Sequence, residues 1–148
     1  MKVAKRLITL DANVLVAALK EDEAHGGDCL NILRKVPDLF LPCEPSVIYQ
    51  EVCGALSRRV GLEVAGLAKE ELDRMIHPML LVNCDRRFCV SAYPLCHEYG
   101  IYSIDALYLK VALDKGAVLA SLDKEGFADR VRAKNPPIEA YHVSEFPY

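Results

Sequence analysis

The sequence predicts an α/β domain with a central, mainly parallel sheet, because short apolar runs alternate with segments of helical periodicity. The clearest example lies between Ser103 and Asp123. Apolar residues at helical spacing follow Ser103, and Gly116 is placed to end that helix. Small and branched apolar residues then lead to Asp123, as is typical of a strand buried on both faces. A helix that leads into a buried strand is the unit from which such sheets are built.

Length and composition limit the architecture and the function classes. At 148 residues, the chain is expected to form a single domain over residues 1–148. The charged amino terminus leads only to a short apolar run, so neither a signal peptide nor a membrane span is predicted, and a cytoplasmic location is expected. The six cysteines lack paired two-residue spacing, which favours reduced core residues over disulfides or a zinc site.

The net charge of −3 argues against a protein that coats nucleic acid through bulk positive charge. It does not exclude a nuclease, because a site built from carboxylates makes the formal charge more negative and bound divalent cations reverse the sign locally.

The other helices and strands are predicted in the same way, from helical spacing of apolar residues, from short apolar runs, and from the glycine and proline residues that interrupt them. Helices are expected at residues 14–19, 29–36, 45–60, 68–77 and 128–134, with Pro45 in a first helical turn, and a helical segment at 88–99 is expected to split at Pro94. Strands are expected at residues 7–10, 39–41, 80–82, 117–122 and, at a sheet edge, 138–143. Residues 21–27 are predicted to form a loop.

Four acids occupy positions that suggest chemistry. Asp11 and Asp123 each follow a predicted strand, where an Asp is also a common turn or cap residue. Asp105 falls in a first helical turn, where it also complements the helix dipole. Glu51 is the only acid of its predicted helix, and an ion pair with Arg58 is the alternative role. A right-handed parallel sheet brings its strand ends to one rim, so the four carboxylates can share a site.

Four carboxylates in one pocket repel one another strongly unless a cation lies among them. Hard oxygen ligands without cysteine or histidine favour Mg²⁺ or Mn²⁺ over zinc. The pattern therefore predicts a Mg²⁺ (or Mn²⁺) site.

Four segments, taken in order, resemble the signature of the PIN-domain nucleases, and in particular the VapC-like toxins of toxin–antitoxin pairs. They are Asp11-Ala12-Asn13-Val14-Leu15, Tyr49-Gln50-Glu51-Val52, Ser103-Ile104-Asp105-Ala106-Leu107-Tyr108-Leu109 and Ser121-Leu122-Asp123. The resemblance implies a three-layer α/β/α PIN-like domain that hydrolyses RNA phosphodiester bonds. It also implies that Asp11, Glu51, Asp105 and Asp123 are the catalytic, metal-binding acids, with Asn13 and Ser121 as polar support.

The expected partners are an RNA substrate, a small antitoxin protein and a second copy of the chain in a homodimer, with no membrane. Two other functions stay open: a catalytically inactive PIN-like protein-binding module, and a carboxylate-site phosphohydrolase that acts on small phosphate esters. Basic residues near the rim are expected to contact the substrate, with Arg58, Arg59, Lys110 and Lys124 as candidates and Tyr102 or Tyr108 as weaker candidates for base stacking.

Overall fold

The computed structural model describes residues 4–20 and 24–148, so Glu21–Glu23 of the predicted loop lie outside the described residues. Within those ranges, the strands are β1 (Arg6–Leu10), β2 (Phe40–Pro42), β3 (Glu44–Pro45), β4 (Leu81–Val82), β5 (Val118–Ser121) and β6 (Ala140–His142). The α-helices are α1 (Ala12–Leu19), α2 (Gly26–Leu33), α3 (Val47–Arg59), α4 (Leu62–Met75), α5 (Arg86–Ala92), α6 (Pro94–Tyr99), α7 (Ser103–Lys115) and α8 (Asp129–Ala133).

The main sheet is parallel, in the order β2-β1-β5-β6. Ile8 of β1 pairs with Val118 of β5, so the two central strands end at the same edge. Every residue of β5 is buried, as expected for a strand that helices cover on both faces. The predicted α/β class, with a central parallel sheet in a PIN-like α/β/α arrangement, is confirmed.

The predicted strand at 80–82 forms as β4, but it does not join the main sheet. Instead, β4 pairs in parallel with β3, where Pro45 lies opposite Val82. The next backbone N–H, that of Ser46, donates a 2.8 Å hydrogen bond to the carbonyl of Val82. The placement of Pro45 in a first helical turn is therefore wrong, because this pairing holds Pro45 extended and α3 begins only at Val47.

Several predicted helix ends are confirmed, and others differ from the prediction. The helical segment splits at Pro94 into α5 and α6, and Gly116 ends α7 with a φ of +66°, which favours glycine. By contrast, α2 begins at Gly26, before the predicted 29, and α4 begins at Leu62, before the predicted 68.

All six cysteines are free thiols. No helix within the described ranges has both the length and the apolar character that crossing a bilayer requires.

Candidate active site

Two of the four predicted acids lie at the carboxyl edge of the main sheet. Asp11 follows β1 directly, and its backbone N–H donates a 3.0 Å hydrogen bond to the carbonyl of Ala120 in β5. Asp123 lies two residues beyond the end of β5. The chain passes from β1 to β2 on one side and reaches β5 on the other, so the crevice between β1 and β5 is the topological switch point where α/β sheets bind ligands.

A chain of hydrogen bonds joins the two strand ends. The hydroxyl of Ser121 donates to Asp11 Oδ2 at 2.8 Å and accepts from the backbone N–H of Asp123 at 3.0 Å. Asn13 Oδ1 accepts from the backbone N–H of Leu122 at 3.2 Å. The two predicted support residues, Asn13 and Ser121, therefore tie the start of α1 to the turn that carries Asp123.

The turn after Asp123 also depends on a glycine. The backbone N–H of Gly126 donates to Asp123 Oδ1 at 2.8 Å. A Cβ at position 126 would lie 2.5 Å from Asp123 Oδ2, closer than such atoms approach, so any larger residue would displace the carboxylate. The π-helical turn Lys124–Ala128 thus holds the orientation of Asp123.

The other two acids come from helices that face this edge. Asp105 lies in the first turn of α7 and Glu51 lies in α3, and both side chains are half-buried. The negative charges of Asp105 and Glu51 both raise the pKa of Asp11, and that of Asp123 raises the pKa of Asp105. The four predicted acids are therefore close enough in the fold for their charges to interact.

Asp11 is only 6% exposed, and its burial is the main cause of its raised pKa. It raises the pKa of Asp11 to about 7; the hydrogen bond from Ser121 opposes the rise, and the charges of Asp105 and Glu51 add to it. Burial also raises the pKa of Asp105 to about 6, with further increases from Asp123 and Glu51. At neutral pH, Asp11 is therefore about half protonated, whereas Asp105 is mostly ionised.

A cavity of about 220 Å³ opens beside Glu51 and is also lined by Asn13, Leu122 and Arg59. Of the predicted substrate cations, Arg59 is the one that lines this cavity together with Glu51. Lys110 forms an ion pair with Asp114 at 3.1 Å, and Lys124 pairs with Glu145.

The donor set suits a hard divalent cation, because it consists of carboxylates and because the buried Oε1 of Glu51 has no hydrogen-bond partner among the described residues. Within residues 4–20 and 24–148, however, no three Asp, Glu, His or Cys side chains stand close enough together to hold one ion.

Glu44 is a buried acid near the site that the sequence reasoning missed. Its side chain is only 1% exposed, and Oε1 accepts a 2.6 Å hydrogen bond from the backbone N–H of Leu10. Burial raises the pKa of Glu44 well above its ordinary value, and the charge of Asp11 raises it further. The sequence carries little signal for this residue, because Glu44 lies two residues beyond β2 and begins the two-residue strand β3.

Tyr108 lies beneath the acids and is fully buried, which removes it as a candidate for base stacking. Burial, Glu51 and Glu44 raise the pKa of its hydroxyl.

Comparison with known proteins adds a family and a set of similar folds. A family model described as PIN domain matches residues 8–133. A search of curated protein sequences finds no significant match.

Solved structures of similar fold share little sequence with the chain. VapC20 of Mycobacterium tuberculosis, described as a Sarcin-Ricin loop cleaving toxin, is 17% identical with a TM-score of 0.66, over 85% of this chain and 94% of that one. VapBC2 of Rickettsia felis, bound to a DNA fragment from its promoter, is 14% identical with a TM-score of 0.64, over 92% and 98%. DNA-bound VapBC of Salmonella typhimurium is 13% identical with a TM-score of 0.62, over 95% and 99%.

Proposed function

The chain belongs to the PIN domain family, and on that premise we propose that it is a Mg²⁺- or Mn²⁺-dependent endoribonuclease of the VapC-like kind. The observation that carries the proposal is the electrostatic coupling of the four carboxylates near the carboxyl edge of the sheet: beyond the effect of burial, the charges of Asp105 and Glu51 raise the pKa of Asp11, and those of Asp123 and Glu51 raise the pKa of Asp105. Such a cluster destabilises a metal-free fold, so its presence favours a bound cation over a purely structural role.

The residues that would hold the cation are Asp11, Glu51, Asp105 and Asp123. A divalent cation bound among them would supply a water-derived nucleophile near neutral pH and would offset the charge on the phosphate. Glu51 brings a buried oxygen that has no hydrogen-bond partner within the described part of the chain.

The polar residues around the acids position them. Ser121 orients the Asp11 carboxylate through its 2.8 Å hydrogen bond, and the Gly126 N–H does the same for Asp123. Asn13 fixes the backbone between Ser121 and Asp123. Because these contacts already exist in the folded chain, two of the four acids need little reorganisation when substrate arrives.

RNA is the proposed substrate. Arg59 lines the cavity next to Glu51, where a guanidinium can contact a phosphate of a strand that approaches the acids. Without such a cation, the carboxylates would repel a polyanion.

We also propose a small antitoxin as a protein partner, since structures of similar fold are VapBC complexes. An apolar groove of about 460 Å³ lies between helices α1 and α2 on one side and α4 on the other. It suits the apolar face of an amphipathic segment of such a protein. Its walls are Ala18, Leu19, Leu30, Leu33, Arg34, Val64, Leu67, Ala68 and Glu71. Where a small protein is encoded beside this gene, Leu67→Asp should abolish its co-purification with the chain, while Met79→Asp, outside the groove, should not.

The function is tested by cleavage of single-stranded RNA and of a small phosphate ester, each with EDTA, Mg²⁺ or Mn²⁺. We expect endonucleolytic products only from RNA and only with a divalent cation. Hydrolysis of the small ester alone would identify a phosphohydrolase, and no hydrolysis of either would identify an inactive binding module. RNA cleavage that survives exhaustive chelation would contradict the metal requirement.

A further inference from the structure

A second, smaller cavity lies between the segment that precedes α7 and the turn that follows Asp123, and it has no role in the chemistry described above. Its volume is about 190 Å³, and it is lined by Gly100, Ile101, Tyr102, Gly126 and Arg130. Gly126 donates its N–H to Asp123, while Tyr102 immediately precedes α7, the helix of Asp105. The cavity therefore lies against the two segments that carry Asp105 and Asp123.

Arg130 is held in a fixed position on one wall of this cavity. Its Nη1 donates a 2.6 Å hydrogen bond to the carbonyl of Gly100, and its Nε donates a 3.1 Å bond to the carbonyl of Glu125. The first carbonyl belongs to the turn before α7 and the second to the turn after Asp123. The two bonds orient a planar cation on the wall of this cavity, and a guanidinium can contact a phosphate or stack on a base.

Tyr102 provides an aromatic surface in the same cavity. Its side chain is 75% exposed, although most aromatic residues of this size are largely buried in a folded domain. An exposed aromatic ring next to a cation is the combination with which proteins hold single-stranded nucleic acid, because every base can stack on the ring whatever its sequence.

We propose that Tyr102 and Arg130 form a subsite for the nucleotide next to the scissile phosphate, with its base stacked on Tyr102 and its phosphate or base contacted by Arg130. The inference rests on the proposed ribonuclease function and adds to it the requirement for an unpaired base beside the cut. Double-stranded RNA, whose bases are already stacked, binds this subsite poorly.

The experiment measures binding in EDTA, where cleavage is absent. The chain contains no tryptophan, so Tyr102→Trp introduces a single tryptophan, whose fluorescence can be excited selectively and reports on the cavity. A short single-stranded oligoribonucleotide should quench that fluorescence, and the same oligonucleotide annealed to its complement should quench it much less. Tyr93→Trp is the matched control, because Tyr93 is 67% exposed and does not line the cavity.

Affinity is then compared among substitutions. Tyr102→Ala should raise the dissociation constant for the single strand about 5- to 150-fold, the usual effect of one lost stacking partner. Tyr102→Phe, which keeps the ring, should bind within about twofold of wild type. Arg130→Gln should reduce the slope of log K against log salt by about 0.7 for one lost phosphate contact, whereas Arg132→Gln, which removes the same charge from the same helix, should not.

The outcomes separate the subsite from the proposed function. If wild type cleaves RNA but Tyr102→Ala binds as tightly as wild type, the subsite is overturned and the ribonuclease stands. If Tyr102→Trp is quenched and Tyr102→Ala binds weakly while no RNA is cut with Mg²⁺ or Mn²⁺, the subsite stands and the proposed catalysis fails. Equal quenching at positions 102 and 93 overturns the subsite in either case.

Discussion

Ser121 Oγ, at the end of β5, donates a 2.8 Å hydrogen bond to Oδ2 of Asp11, which follows β1 far earlier in the chain. Both atoms are buried, and the same hydroxyl accepts the backbone N–H of Asp123. One hydroxyl therefore orients the best-buried acid of the site and anchors the turn that carries another. The bond also counteracts the burial that raises the pKa of Asp11.

Ser121→Ala should lower both the affinity for the metal and the rate of RNA cleavage. The loss of the donor raises the pKa of Asp11 further and frees its carboxylate to rotate, and the removal of such an orienting contact typically costs about 10- to 100-fold in metal affinity or activity. Ser121→Thr keeps the hydroxyl and should retain most activity. Cleavage rates of the three proteins across Mg²⁺ concentrations measure the effect; equal rates for the alanine and threonine variants would show that the hydroxyl is not needed.

Asp105→Asn distinguishes a member of a repulsive cluster from a helix-end residue. A carboxylate that only complements the dipole of α7 stabilises the fold by about 0.3–1 kcal/mol, so its loss would lower the melting temperature. A carboxylate whose pKa is raised to about 6 in the fold instead destabilises the metal-free protein at neutral pH. We therefore expect Asp105→Asn to melt higher than wild type in EDTA at pH 7.5.

The difference in melting temperature between Asp105→Asn and wild type should depend on pH, because the fold raises the pKa of Asp105. Because the folded pKa lies above the ordinary value of 3.8, the folded state holds more protons, and stability is lost as the pH rises from about 4 to about 6. The advantage of Asp105→Asn should therefore develop across this range. Glu63→Gln, an exposed acid in the first turn of α4, is the control for a pure dipole effect and should melt slightly lower than wild type.

Glu44→Gln should stabilise the protein at neutral pH. The amide retains an acceptor for the N–H of Leu10 and removes a carboxyl whose other oxygen, Oε2, is buried without a hydrogen-bond partner among the described residues. Since burial raises the folded pKa of Glu44 well above 4.5, wild type should lose more stability than the variant as the pH rises above that value.

Urea unfolding of the two proteins between pH 4 and pH 8 measures the expected divergence. The exposed Glu98→Gln is a control in which the difference from wild type should stay nearly constant with pH. A Glu44→Gln variant that is less stable than wild type at pH 8 would contradict the view that Glu44 is an energetic burden in the folded state.

The positions of Asp11 and Asp123 could be predicted from the sequence because each follows an apolar run long enough to be recognised as a strand. Glu44 could not, because β3 is only two residues long and exists through its pairing with β4 far along the chain. The same pairing explains why Pro45 was assigned to a helix. Arg130 was missed for a similar reason, since its bonds to Gly100 and Glu125 arise only when the chain folds.

A homodimer is expected, although the apolar face of the 45–60 segment is not available to form it. Ile48, Val52 and Leu56 of that segment are fully buried in the core. The junction of α3 and α4 does expose apolar side chains, with Leu62 82% exposed beside Val60. Light scattering at micromolar concentration should give twice the chain mass, and Leu62→Lys should shift it towards the monomer.

Leu39→Lys, an exposed position at the start of β2, is the control and should not change the mass. A monomer mass for wild type without an antitoxin would contradict the homodimer.

The role of the four carboxylates in holding the catalytic metal is best tested by measuring the rate of RNA cleavage as a function of Mn²⁺ concentration. The proteins compared are wild type, Asp11→Asn, Glu51→Gln, Asp105→Asn and Asp123→Asn, with Glu63→Gln as the control. We expect the wild type and Glu63→Gln to share one activation curve, and each variant of the four acids to need at least about 10-fold more Mn²⁺ or to lose cleavage. Variants that follow the wild-type curve would show that the carboxylates do not hold the catalytic cation.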